Sequence, residues 1–376
     1  MANITFVSSM WSYPWGGSEE LWSRAALQLH ENSHKIAASV LFWPQLSTNV
    51  THLGERGVRL QVRRPLMPAP LPVRVWRRII RVQDREYEWL RRQKPDLVVV
   101  SQGGNLDGLP WMRLCRTAGI PYLVIVQCNS EMWWQEDDSR AEFVDAYRTA
   151  RKVFCVSRHN LELLERQVGE PLPNGAVVWN PYNVSRDQQP AWLAQDGAQK
   201  LACVARLEPG SKGQDLLLSV LARPQWRNRA MEVNFYGAGP FEGSLRRLAE
   251  LLQLQNVRFR GHVSDVQRIW EQNHMLVLPS RVEGLPLALV EAMLCARPAV
   301  VTDVGGNAEW CVDGETGFVA AAPVVSLLEQ TLERAWNHRH EWQSMGTAAR
   351  KWAERLIPID PVGDFCREIL NCLSFP

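Results

Sequence analysis

The sequence predicts an α/β fold made of two Rossmann-like halves. Three observations point there. Short apolar runs recur along the chain and alternate with helical stretches. Each run ends in a polar or glycine-bearing turn, as the strands of an open parallel sheet do. A polar stretch, VSRDQQPAWLAQDGA at 184–198, then separates two such series, in a chain whose 376 residues suit two domains of ordinary size.

The first series of predicted strands covers 4–8, 37–42, 96–101, 122–126, 153–156 and 177–179. The second covers 201–205, 232–236, 257–260, 276–279 and 299–302. The chain is 46% hydrophobic and 22% charged, as a globular protein is. Its formal net charge of +2 gives no push toward nucleic acid. No apolar run approaches the length of a membrane span. The start, MANITFVSSMW, lacks a basic region followed by a long apolar core, so no signal peptide is expected. None of the eight cysteines forms a C-x-x-C pair. Reduced, buried thiols in the cytoplasm are the expectation, with no zinc site.

The chemistry is expected in the stretch from 276 to 320. There a predicted strand runs into a turn, a helix at 287–294, a second strand and the pair Gly305-Gly306. Glu283 lies in the turn and Glu291 eight residues later in the helix. The amides of Gly284, Leu285 and Leu287 lie around the helix N-terminus, where the dipole favours an anion such as a phosphate. Carboxylates on both flanks of a phosphate suit sugar hydroxyls at one end and ribose hydroxyls at the other. A surface helix with one capping and one exposed Glu fits the same spacing. Upstream, Arg206 and Lys212 bracket a Gly/Pro turn after a predicted strand, a natural arrangement for phosphate oxygens. Gly16 and Gly17 open a helix after the first strand, without forming a full GxGxxG.

Glu283-x7-Glu291, with Gly284-Leu285-Pro286 after the first Glu and Ala292-Met293 after the second, resembles the Glu-x7-Glu signature of family 4 retaining glycosyltransferases. Val304 to Glu309 and Asp313 to Gly317 fit the same family. The resemblance runs from about Gly16 to Gly317 and is strongest after Ala202. It implies the GT-B architecture, two facing Rossmann-like domains with an interdomain cleft. It also implies transfer of a sugar from a nucleoside-diphosphate sugar to an acceptor hydroxyl with retention, and without a metal or other cofactor. Residues 1–185 would be the acceptor-side domain and 199–355 the nucleotide-sugar domain. The last helix, in 356–376, would cross back to the first domain.

By that resemblance Arg206 and Lys212 bind the donor diphosphate, and Gly16 and Gly17 let backbone approach it. Val263 meets the base, Glu283 the donor sugar and Glu291 the ribose. Pro286 and Leu287 complete the anion site. The family usually carries a histidine where Gln127 stands here, and an amide donates hydrogen bonds but does not titrate. Asn129, Glu131, Trp133 and Trp134 follow Gln127 in a loop expected on the acceptor side, the acceptor being a carbohydrate or lipid-linked sugar. A non-catalytic nucleotide-sugar binder, an epimerase or a phosphorylase of the same fold are alternative readings.

Glu136-Asp137-Asp138 reads as solvated charge rather than a metal motif. From 63 to 94, ten Lys/Arg stand against three acidic residues, with arginines opposite an apolar helical face. Two readings fit: a packed helix with a solvated basic face, or a face that docks peripherally on anionic lipid headgroups at the inner side of a membrane.

Overall fold

The computed structural model describes residues 1–11, 13–43, 48–63, 76–194 and 197–373, with backbone alone from 76 to 84. It divides into two units, Met1–Pro181 with Ile359–Pro376, and Tyr182–Pro358.

The first unit is built on seven strands. They are β1 Asn3–Ser8, β2 Lys35–Leu41, β3 Arg59–Arg63, β4 Leu97–Gln102, β5 Tyr122–Val126, β6 Lys152–Cys155 and β7 Gly175–Val177. All pair in parallel, in the order β3-β2-β1-β4-β5-β6-β7. Parallel strands joined by helices are covered on both faces, so the central ones read as unbroken apolar runs. In β4 and β5 every residue is buried.

Helix Gly17–Glu31 follows β1 and buries Leu21, Trp22, Ala25 and Leu29. The C-terminal helix Pro361–Leu373 packs on it. Phe365 and Ile369 of that helix are fully buried, each contributing about 1.5–3 kcal/mol by leaving water. Phe365 meets Phe154 of β6 edge-to-face, with ring centroids 5.5 Å apart.

The second unit has six strands: β8 Gln199–Val204, β9 Met231–Tyr236, β10 Val257–Gly261, β11 Met275–Leu278, β12 Ala299–Thr302 and β13 Gly317–Ala320. Their order is β10-β9-β8-β11-β12-β13, again all parallel. The polar segment after residue 184 is tied into this unit. Arg297, fully buried, donates to Ala191 O and stacks over Trp192, while Arg186 donates to Glu354 O and Ile357 O.

Arg63, the first residue of the basic stretch, lies in a strand. It ends edge strand β3, 7% exposed, donates to Ser8 O and lies 4.9 Å from the Trp111 ring. The basic helix itself spans Trp76–Gln93. Of its predicted arginine face, Arg85, Arg91 and Arg92 are exposed. Arg74 and the side chains of Arg77, Arg78 and Arg81 lie outside the described residues. Of the eight cysteines, all free, seven are buried and Cys128 is half-buried. Glu136, Asp137 and Asp138 are exposed where helix Asp137–Arg148 begins.

Candidate active site

In the second sheet the strand order reverses between β8 and β11. Such a switch point leaves a crevice outside the carboxyl ends of the strands. The turns leaving those two strands carry Arg206, Lys212 and Glu283.

Backbone contacts fuse the turns into one block. Ser211 O accepts from Arg281 N and Val282 N at 2.8 and 3.1 Å. The Arg281 guanidinium grips Asp215 with bonds of 2.7 and 2.8 Å. Glycine is required at two seams. Gly213 has φ +65°, and a Cβ there would stand 1.9 Å from Pro279 O. Gly305, at φ +53°, would collide with Glu283 O at 2.2 Å, while Gly306 N donates to Gly284 O at 2.7 Å. Any side chain at either glycine would push the block apart.

Within this block Glu283 is 5% exposed. Its Oε1 accepts from Lys212 Nζ at 2.8 Å and from Ser280 Oγ at 2.7 Å. Arg206 donates through Nε and Nη2 to Glu208 Oε2, at 3.1 and 2.5 Å, and Ser211 Oγ donates to the same oxygen at 2.9 Å. Burial pushes the Glu208 carboxyl up. The Arg206 hydrogen bonds and charge, with Ser211 and Lys212, outweigh it and hold the group below the usual carboxylate range.

Helix Leu287–Leu294 follows, with no acidic residue in its first turn. Its first helical bonds run from Leu289 N and Val290 N to Pro286 O, so the amides of Leu287 and Ala288 lie ahead of the ladder. Glu291, 4% exposed, accepts at Oε1 from Asn183 N and Nδ2, at 3.0 and 3.2 Å. Val263 is half-buried just past β10, at the sheet's edge two strands from β8. Pro286 is the N-cap of the helix, and Gly284 and Leu285 lie buried in the turn before it.

In the first sheet the order reverses between β1 and β4. Gly16 and Gly17 open helix Gly17–Glu31, and a Cβ on Gly16 would stand 2.8 Å from the Tyr13 ring. Gln127 follows β5 and is 6% exposed. Its Oε1 accepts from Asn180 Nδ2 at 2.8 Å, and its Nε2, buried, has no hydrogen-bond partner among the described residues.

The loop beyond Gln127 divides. Asn129 is buried and turned inward: Nδ2 donates to Gln167 Oε1 and Oδ1 accepts from Ser130 N, both at 2.8 Å. It holds the loop. Glu131 is exposed, 3.1 Å from His159 Nε2. The Trp133 ring covers Gly104. Trp134 is 58% exposed, yet its one donor is spent on Glu131 O at 2.8 Å. Trp11, after β1, is 65% exposed with its donor spent on Asp107 Oδ1 at 3.0 Å, and Asp107 Oδ2 accepts from Gly104 N. Burial raises the Asp107 carboxyl, against hydrogen bonds from Gly104, Trp11 and Gly103 that lower it.

Glu208, Ser280, Asn183, Asn180 and Trp11 were not singled out from the sequence. Glu208 stands two places from Arg206 and could have been paired with it. Ser280 lies three residues before Glu283, and the others meet their partners only in space.

One family match falls on the second unit. Residues 198–338 match the family glycosyl transferases group 1. An uncharacterized glycosyltransferase of Methanocaldococcus jannaschii is 24% identical over 243 residues, 63% of this chain and 64% of that protein. A D-rhamnosyltransferase of Pseudomonas aeruginosa is 28% identical over 143 residues, 37% of this chain and 36% of that protein. The matched part thus spans less than two thirds of these relatives' length. HepE of Anabaena, solved in complex with UDP and glucose, superposes with a TM-score of 0.74 over 100% of both chains at 17% identity. The fold is GT-B, with two parallel-sheet Rossmann-like domains.

Proposed function

We propose that this protein is a retaining glycosyltransferase. It moves a sugar from a nucleoside-diphosphate sugar to an acceptor hydroxyl in the synthesis of a polysaccharide or other glycoconjugate. The observation that carries the reading is Lys212 Nζ on the buried Glu283, at the switch point of a group 1 glycosyltransferase unit. As the glycosidic bond breaks, negative charge builds on the diphosphate. Arg206, Lys212 and the amides ahead of helix Leu287–Leu294 stabilise it. These cations take the role a metal would have, so none is required. Glu283 binds the donor sugar, Glu291 the ribose and Val263 the base.

On the acceptor side we assign Glu131, Trp133 and Trp134, and add Trp11. With their donors spent internally, Trp11 and Trp134 present only ring faces, which suit the C–H faces of a pyranose. A lipid-linked sugar would be accepted through the same contacts. Exposed Arg85, Arg91 and Arg92 suit peripheral docking on an anionic membrane surface.

The test is a thermal-shift screen with nucleoside diphosphates and their sugars, run with chelator present, followed by donor turnover with and without acceptors. A diphosphate that stabilises the protein only after magnesium is added would sink the metal-free reading. Donor binding with no turnover against any acceptor would favour a binding protein of this fold.

A further inference from the structure

The second unit begins at Tyr182, and the residues that follow are tied down one after another. Val184 is buried. Ser185 N donates to Gln267 Oε1 at 3.2 Å, on helix Val266–Glu271 just beyond Val263. Arg186 donates to Glu354 O and Ile357 O, and its own carbonyl accepts from Arg350 Nη2. The strap is thus bonded to helix Val266–Glu271 and, through Asn183, to the neighbouring helix Leu287–Leu294. Its anchored backbone delivers Asn183 to a fixed place beside Glu291.

At that place two donors of one residue meet one oxygen. Asn183 N and Nδ2 donate to Glu291 Oε1 at 3.0 and 3.2 Å. A carboxylate oxygen has two lone pairs, so Asn183 fills Oε1 and a further hydroxyl must go to Oε2. The last torsion of a glutamate is broad and two-fold, so the plane of an unanchored carboxylate swings. Two bonds converging on one oxygen remove that freedom. Glu291 is 4% exposed, so little water competes for them. We propose that Asn183 is a positioning residue for Glu291: it locks the carboxylate plane so that Oε2 is presented to a ribose hydroxyl of the nucleotide. The property it sets is preference for a ribonucleotide over a deoxyribonucleotide. This rests on the glycosyltransferase reading above and assigns a residue that the reading does not include. Both partners belong to the second unit, so a bare nucleoside diphosphate is enough to test it.

Substitution at 183 removes Nδ2 and leaves the backbone N–H in place. The carboxylate is then held by one bond instead of two, and its plane loosens without the strap being released. Asn183→Leu keeps the volume of the side chain, and Asn183→Ala does not. Neither donates, so a loss common to both reports the missing donor rather than packing.

The measurement is calorimetric binding of UDP, GDP, their 2′-deoxy and 3′-deoxy forms and inorganic pyrophosphate. The proteins are wild type, Asn183→Ala, Asn183→Leu, Glu291→Ala and the double variant Asn183→Ala with Glu291→Ala. The ratio of ribose to deoxyribose affinity is taken within each variant, so a lowered folded fraction cancels. Wild type should prefer the ribose form of the nucleotide it binds by about tenfold to a hundredfold, the worth of a hydrogen bond to a carboxylate. Asn183→Ala and Asn183→Leu should each narrow that preference by about threefold to tenfold, with pyrophosphate affinity unchanged. Glu291→Ala should abolish it, and adding Asn183→Ala should then change the ratio no further. A wild-type ratio in either Asn183 variant overturns the inference and leaves the donor reading intact, even where all affinities fall together, since that is what a merely structural residue would do. A preference absent from wild type, or one that survives Glu291→Ala, overturns the ribose role of Glu291 and this inference together. A wild type that binds neither diphosphate overturns the glycosyltransferase reading itself, and the inference with it.

Discussion

Lys212 Nζ stands 2.8 Å from Glu283 Oε1, joining the turn after β8 to the turn after β11. The pair is 71 residues apart in the chain and lies at the point where the sheet reverses its strand order. Lys212 thus holds a buried carboxylate in place and, in the proposed donor site, also faces the diphosphate. Lys212→Ala should weaken binding of a nucleoside diphosphate by about 1.5–3 kcal/mol, the worth of a charge-assisted hydrogen bond. It should also lower Tm, because among the described residues Glu283 keeps only Ser280. Equal affinity in calorimetry would remove Lys212 from the donor site.

The two glutamates should separate. Glu283→Gln should cut turnover far more than it weakens binding of bare diphosphate, which lacks the sugar. Glu291→Gln should weaken both, since ribose is common to donor and product, and it should loosen Asn183 as well. Identical profiles for the two variants would show the assignment of the pair to be wrong.

Arg206 is pre-paired with Glu208, and this makes a sharper prediction than its removal alone. In Arg206→Ala the Glu208 carboxylate is left beside the incoming phosphates without its neutralising guanidinium. Diphosphate affinity should fall, and Arg206→Ala with Glu208→Gln should recover part of the loss. No recovery would mean that Glu208 does not face the ligand. The pair also affects stability. Glu208 has a lowered pKa in the fold. Its contribution is present above the ordinary carboxylate range and is lost as pH falls through the lowered value. Glu208→Gln should thus narrow the difference in Tm between neutral and strongly acid solution.

Much of this was legible in the sequence, for a physical reason. Strands buried on both faces must be apolar along their length, so β4, β5, β11 and β12 announce themselves. Edge strand β3, with the sequence RLQVR, alternates polar and apolar residues and has no such signal. Arg63 was therefore counted only as part of a basic stretch from 63 to 94, although burial beside Trp111 defines it. Motif spacing found Glu283 and Glu291, which share a turn and a helix. It could not find Asp215 for Arg281, 66 residues away, or Asn183 for Glu291, 108 away. Those pairs are made by strand order, which no local pattern encodes.

The exposed indoles give a prediction on the acceptor side. Trp11→Ala and Trp134→Ala should each raise KM for acceptor several-fold and leave KM for the donor unchanged, because stacking on a sugar face is worth about 0.5–1.5 kcal/mol. Trp11→Phe should retain much of the binding, since the ring face is kept. A shift in donor KM instead would place Trp11 elsewhere in the reaction.

If the arginines of helix Trp76–Gln93 meet a membrane, the protein should sediment with phosphatidylglycerol vesicles and not with phosphatidylcholine vesicles, and less at high salt. Arg85→Glu with Arg91→Glu should reduce it. Equal sedimentation with both vesicle types, or none, returns the helix to a solvated face.

Glu19 makes the last prediction. It lies in the first turn of helix Gly17–Glu31, 4% exposed, with Trp22 Nε1 donating to it at 2.8 Å. Burial pushes its carboxyl up to about 7. Hydrogen bonds from Ser8 and Trp22 and the charge of Arg63 oppose this, and Glu20 adds to it. Arg63 is itself lowered by burial to about 10, and so remains charged at neutral pH. The sign follows from proton counting. Between the unfolded carboxylate value and about 7 the folded state holds a proton that the unfolded state has released. Stability must then fall as pH rises through that window. A rise from 4.5 to about 7 corresponds to roughly 3 kcal/mol at full effect. Glu19→Gln keeps an oxygen to accept from Trp22 and removes the titration. The variant should gain on wild type in denaturant midpoint as pH is raised from about 5 to 8, with the gap closing at the acid end. A constant gap across that range would show that Glu19 is ionised in the fold at all these pH values, with Arg63 balancing its charge.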